Sequence, residues 1–195
     1  MIVITPEQGI ELVKAARAAV LNHFFGKDIK LNGLEQKTGL FVTINNYPKL
    51  SLRGCMGLIE PTKPLDEAVI LISKSAAFAD DRFKPVQHNE MDKIVFEVAV
   101  IGQPELVHGK APEDYIRSIQ PGKDGIIIDA DGHRGLLLPE ALSGRNITPE
   151  MALNMTCRRA GLLEDTWKQE KCRIYRFKAQ IFREKEPGGE ILAGQ

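Results

Sequence analysis

The chain has 195 residues, 43% hydrophobic and 27% charged, the balance of a globular protein large enough to bury a core without metal or disulfide support. Its 26 Lys and Arg match its 26 Asp and Glu, so it carries no overall basic field of the kind that drives non-specific nucleic-acid binding, although a local basic patch stays open. Three scattered cysteines, four unclustered histidines, no signal-peptide pattern in MIVITPEQGI and no membrane-length apolar run point to a reduced cytoplasmic protein. No disulfide framework, metal site, cofactor or membrane contact is expected.

Thr5-Pro6-Glu7-Gln8 reads as a helix start: Thr5 caps, Pro6 suits the first helical position and Gln8 completes a capping box. Ile10, Val13, Val20, Leu21 and Phe24 continue an apolar face, and Gly26 is a plausible stop. Leu40–Ile44 and Leu50–Ile59 read as the two strands of an antiparallel hairpin around the turn-rich Asn45-Asn46-Tyr47-Pro48. Pro61-Thr62-Lys63-Pro64 breaks the second strand. Leu65, Ala68, Val69, Ile72 and Ala76 then recur at helical spacing, in a helix limited by Pro85. Lys93–Ile101 reads as a strand with Ile94, Phe96, Val98 and Val100 on one face and Glu97 as the charge in its middle.

Pro112–Ile119 suits a short helix, and Ile126–Ile128 and Leu136–Leu138 form strands joined through the hairpin-type turn Asp131-Gly132. Thr148-Pro149 starts another helix, which Gly161 closes, and Cys172–Phe182 reads as one last strand. The order lacks regular βαβ alternation. It predicts an α+β fold, a mainly antiparallel sheet with helices packed on it, as one domain over residues 1–185 with two lobes allowed. Residues 186–195 are expected to be a flexible tail.

The stretch most in need of explanation is Leu52-Arg53-Gly54-Cys55-Met56-Gly57. Glycine inside a strand marks a bulge or the close approach of a ligand or of another backbone. A neighbouring arginine can lower a thiol pKa and make Cys55 a nucleophile. Alternatively, Gly54 and Gly57 relieve crowding under a crossing helix and Cys55 is a small buried hydrophobe. Alternation places Arg53, Cys55 and Gly57 on one face, so a core-facing Cys55 demands a paired Arg53 or a bulged strand. Asp80 and Asp81 stand at the C-terminal end of the helix from Leu65, where the macrodipole disfavours carboxylates. They are expected either to reach a partner such as Arg53 or a ligand, or to be solvated and offset by Arg82.

The loop Pro121-Gly122-Lys123-Asp124-Gly125 has the look of a phosphate loop, but it precedes a strand and has Asp where a P-loop has Ser or Thr. His133 reads as exposed in a turn and Trp167 as a packing residue. Arg158, Arg159, Lys168, Lys171, Arg173, Arg176 and Lys178 make the last third locally basic, for an anionic partner or as a solvated face.

LRGCMG resembles the signature LRGCIG of the AMMECR family, named after a human deletion syndrome, with Met56 in place of isoleucine. Gly39–Thr43, the segment Ala76–Pro85 with its Asp-x-Arg-Phe-x-Pro pattern, Gly122–Ile126, Leu137–Glu140, Ala160-Gly161 and Trp167 resemble further family segments in the same order. The resemblance implies a compact α+β domain, often described as two lobes, with no established reaction. It also implies a pathway shared with Memo-like proteins, which resemble metal-dependent dioxygenases, and with radical-SAM proteins.

Three readings of the signature follow. In the first it is a binding module, in which Arg53, Gly54, Gly57, Asp80, Asp81 and Arg82 hold a small anionic ligand, a nucleic-acid segment or a partner protein. In the second it is an enzyme with Cys55 as nucleophile and Asp80 or Glu97 as acid/base helper. In the third the stretch only shapes the strand.

Overall fold

The computed structural model describes residues 4–60, 62–143 and 146–194; Met1–Val3 of the N-terminal stretch and Pro61 of the expected strand break lie outside them. The helices are α1 (Pro6–His23), α2 (Leu65–Phe78), α3 (Pro112–Ser118) and α4 (Pro149–Arg159). The strands are β1 (Leu40–Asn46), β2 (Ser51–Leu58), β3 (Ile94–Ile101), β4 (Glu105–Leu106), β5 (Gly125–Ala130), β6 (His133–Leu137), β7 (Arg173–Phe177), β8 (Ala179–Glu184) and β9 (Ile191–Gly194). This is an α+β fold whose helices pack on antiparallel sheets. The chain divides into two compact units, Ile2–Ile101 with Gln180–Gln195, and Gly102–Ala179. Among the described residues no helix is long and apolar enough to cross a membrane.

The first unit carries a five-stranded sheet in the order β2-β1-β3-β8-β9, with β1 antiparallel to both β2 and β3. The period of two in the sequence becomes two faces. Leu40, Val42 and Ile44 of β1 and Ile94, Phe96, Val98 and Val100 of β3 are buried in one core with α1 and α2. From the helices come Leu12, Val13, Val20, Leu65, Val69 and Ile72, each worth about 1.5–3 kcal/mol of burial. The predicted capping box is present: the Thr5 hydroxyl accepts the Gln8 N–H, and the Gln8 side chain accepts the Thr5 N–H. Arg17 interrupts the small and apolar face of α1. Its guanidinium forks onto the buried Glu184 of β8, at 2.5 and 2.7 Å, and donates to the carbonyls of Met91 and Ile94. Glu184 also accepts the Phe96 N–H, so this interior ion pair ties α1, β3 and β8 together.

The second unit carries a four-stranded sheet, β4-β7-β5-β6, around a core that includes Ile126, Ile128, Leu153, Trp167 and Ile174. Asp131 and Gly132 both take positive φ, 50° and 78°, as a tight hairpin turn between β5 and β6 requires. Trp167 packs as expected, with its indole N–H on Asn154 Oδ1 at 2.6 Å.

Three elements differ from expectation. The run Cys172–Phe182 is two strands, β7 and β8, in different sheets. The break falls at Lys178, whose carbonyl accepts the Gly102 N–H and whose ammonium reaches Asp124, and no glycine or proline marks it in the sequence. Residues 191–194, expected within the tail, pair antiparallel with β8 as β9, and Ile191 packs against the core. Helix α2 stops at Phe78, well short of Pro85, because the chain turns back and Val86 donates its N–H to the Ala77 carbonyl.

Candidate functional site

The signature lies on β2, at one edge of the five-stranded sheet. Its register against β1 pairs Ile44 with Gly54 and Asn45 with Leu52, so Arg53 is the extra residue of a bulge. Gly54 faces α2: a Cβ built there falls under 3.0 Å from the Ala76 carbonyl oxygen, closer than real Cβ atoms come. This glycine therefore admits the last turn of α2 against the strand. Gly57 serves a different neighbour, since a Cβ there would meet the ring of Phe41, its partner on β1. Crowding relief thus applies to both glycines, but only Gly54 lies under the helix.

Cys55 is half-buried on the face away from that helix. It stands in a row with Thr43 and Glu97, register partners across β1 and β3. The Thr43 hydroxyl donates to Cys55 Sγ at 3.4 Å. The thiol pKa lies above its ordinary value. Burial pushes it up, and this outweighs the opposing Thr43 hydrogen bond and Arg82 charge, while Asp80 and Glu97 raise it further.

The segment after α2 folds over the outer edge of β2. Phe78 at its start and His88 near its end share an aromatic cluster with His23 and Phe24, which holds both ends in place. Asp80 has left the helix, and its carboxylate has turned away from the macrodipole. It accepts the Cys55 N–H at 2.8 Å and the Arg82 N–H at 3.2 Å, and takes the Arg82 fork at 2.8 and 2.7 Å. With its side chain only 4% exposed, Asp80 is held at about 2, chiefly by the Arg82 guanidinium and also by the two backbone N–H groups. Arg82 donates in turn to the Cys55 carbonyl at 3.3 Å, and its side chain is 41% exposed. Asp81 is solvent-exposed.

Arg53 does not meet Asp80 or Asp81. The bulge aims it at Glu90, which it grips with Nε and Nη2 at 2.8 and 3.0 Å. Glu90 also accepts the Gln87 N–H, and its carboxyl lies below the usual range because of the Arg53 fork. The structure thus brings Arg53, Gly54, Cys55, Asp80 and Arg82 together and leaves Asp81 outside the network. Glu90 and Thr43 belong to it without having been singled out in the sequence. The spacing of Gln87 and Glu90, a local cap, was the available signal for Glu90.

Elsewhere the charged stretches are spent locally. The Asp124 carboxylate is buried, accepts the Gln120 N–H and pairs with Lys178 at 2.7 Å, so the loop at 121–125 is closed by an anion of its own. In the basic last third, Arg158, Lys168 and Arg176 meet Glu164, Glu150 and Glu105. The described residues hold no group of three or more His, Cys, Asp or Glu side chains placed to bind a metal ion.

Comparison with known proteins places this arrangement in a wider set. The AMMECR1 family model matches residues 13–182. A protein of Methanocaldococcus jannaschii is 42% identical over 196 residues, covering 98% of each chain. One of Aquifex aeolicus is 39% identical over 187 residues, covering 93% of this chain and 95% of its own. The crystal structure of a protein from Pyrococcus horikoshii is 40% identical, with a TM-score of 0.92 and 98% of both chains covered.

Proposed function

The chain belongs to the AMMECR1 family, and from that premise we propose that it is a ligand- or partner-binding accessory protein whose recognition surface is β2 with the segment folded over its edge. The observation that carries this reading is the state of Asp80. A carboxylate held at about 2 by two N–H groups and a guanidinium has no proton to exchange near neutral pH, so it makes a poor acid/base helper for Cys55. What the same bonds do well is fix Arg82. Two of its nitrogens are held by Asp80, and the side chain stays 41% exposed and permanently charged, a suitable anchor for a small anionic ligand. The family resemblance extends the proposal to a cytoplasmic pathway shared with Memo-like and radical-SAM proteins.

The test is a calorimetric titration of the protein with pyrophosphate and, separately, with a single-stranded oligonucleotide. Saturable pyrophosphate binding that Arg82→Gln or Arg53→Gln weakens at least tenfold supports the small-ligand reading. A preference for the oligonucleotide moves the assignment to nucleic acid. Binding of each probe that both substitutions leave intact overturns the assignment.

The Thr43 hydrogen bond and the Arg82 charge, which both favour a thiolate, are what speaks for a nucleophilic Cys55. Burial outweighs them, and a cysteine nucleophile needs a lowered pKa.

A further inference from the structure

Strand β2 ends its sheet, and an edge strand presents unpaired N–H and C=O groups to any other strand that comes near. At Cys55 these groups are already occupied. The N–H goes to Asp80 Oδ2 at 2.8 Å and the carbonyl receives Arg82 Nη2 at 3.3 Å. One residue thus finds an acceptor for its N–H and a donor for its C=O side by side, the pair of bonds that an adjoining antiparallel strand supplies. Two residues back, the Arg53 bulge breaks the regular register, a second common device against edge pairing. The hazard is present in the same hairpin, where Tyr47, Leu50, Leu52 and Met56 are all large, apolar and exposed.

We propose that the Asp80–Arg82 ion pair is an edge guard: it mimics a neighbouring strand at Cys55 and so prevents β2 of one copy from pairing with β2 of a second copy. The occupant kept out is a second copy because self-association needs only what one chain carries, a sheet-edge strand with exposed Leu52 and Met56. The role is independent of the ligand reading above, since both bonds at Cys55 are made within the chain.

The experiment is sedimentation velocity of the full chain across a concentration series, with circular dichroism to check the fold. Asp80→Ala, which removes the acceptor and releases Arg82, is expected to shift the protein towards larger species as concentration rises. Asp80→Asn, which keeps an oxygen for the Cys55 N–H, is expected to shift it less. Adding Leu52→Lys and Met56→Lys to the Asp80→Ala chain is expected to reverse the association. A folded Asp80→Ala protein that sediments as the parent does at every concentration overturns the proposal, as does association that the two lysines leave untouched. Where Asp80→Ala does not fold, Arg82→Ala serves. It removes the donor to the Cys55 carbonyl and the fork that holds Asp80, but keeps the Asp80 oxygen for the Cys55 N–H, and the expectation is weaker association in the same direction, together with faster amide exchange at Cys55. No change in either measurement overturns the proposal.

Discussion

Replacing Gly54 by alanine tests how the strand and helix of the site are fitted together. The added Cβ falls under 3.0 Å from the Ala76 carbonyl oxygen, whereas ordinary contact begins at 3.4 Å. A separation of roughly half an ångström or more must therefore open, and the obstacle is helix backbone with no rotamer to change. Helix α2 cannot retreat freely, because Leu65, Ala68, Val69, Ile72, Ala76 and Ala77 of its inner face are all in the core. Overpacking of this kind costs about 1–3 kcal/mol. The φ of Gly54 lies outside the left-handed region, so alanine adopts the backbone without strain and recovers about 0.4–1 kcal/mol through the unfolded chain. The net expectation is a loss of about 1–2 kcal/mol, read as a lower guanidinium midpoint or as about 2–4 °C of Tm per kcal/mol for a chain of this size. Gly57→Ala is the internal comparison: its obstacle is the Phe41 ring, which can swing aside, so the loss is smaller. A Gly54→Ala protein as stable as the parent would refute the close approach of helix to strand.

Three further outcomes follow from the ion pairs. Removing one partner of the interior Arg17–Glu184 pair, as in Arg17→Ala, leaves a buried carboxylate uncompensated and is expected to cost about 3–5 kcal/mol in chemical denaturation, far more than Lys14→Ala on the exposed side of α1. Asp80 ionises at about 2 when folded against an ordinary 3.8, so the stability it contributes is fully present above pH 4 and is lost as pH falls from 3.8 towards 2. Acid unfolding followed by circular dichroism is expected to lose that component in Asp80→Asn. Asp124→Ala frees the Gln120 N–H and Lys178 together, and is expected to speed amide exchange at Gln120 while leaving exchange in β1 and β2 unchanged.

Local chemistry made much of this fold legible. The capping box at Thr5, the face of α2 and the Asp131-Gly132 turn are all specified by residues a few positions apart, and each stands where the spacing puts it. The last strands were harder to read, since β7 and β8 form one apolar run whose division depends on Lys178 meeting groups more than fifty residues earlier. At the site, the sequence identified the strand glycines and the acidic turn but not their partners. Arg53 was expected to find Asp80 or Asp81, the acidic end of the next helix. The bulge at Arg53 re-aims it to Glu90, and α2 ends early enough for Asp80 to turn back onto the strand. Neither event has a local signature, because register and helix termination were decided by packing between segments. For the thiol, the sequence left a buried and a nucleophilic Cys55 as alternatives: the arginine near it in the chain, Arg53, points to Glu90, and the one near it in space, Arg82, does not overcome burial.

The most direct test of a recognition surface with an un-ionised thiol is the pH dependence of Cys55 alkylation in the folded protein, followed by mass mapping of the Cys55 peptide so that the buried Cys157 and Cys172 do not interfere. The predicted result is slow labelling at neutral pH with its half-point above 9.0, the ordinary thiol value. A half-point near or below neutrality, with rapid labelling there, would contradict the account and return Cys55 to the role of nucleophile.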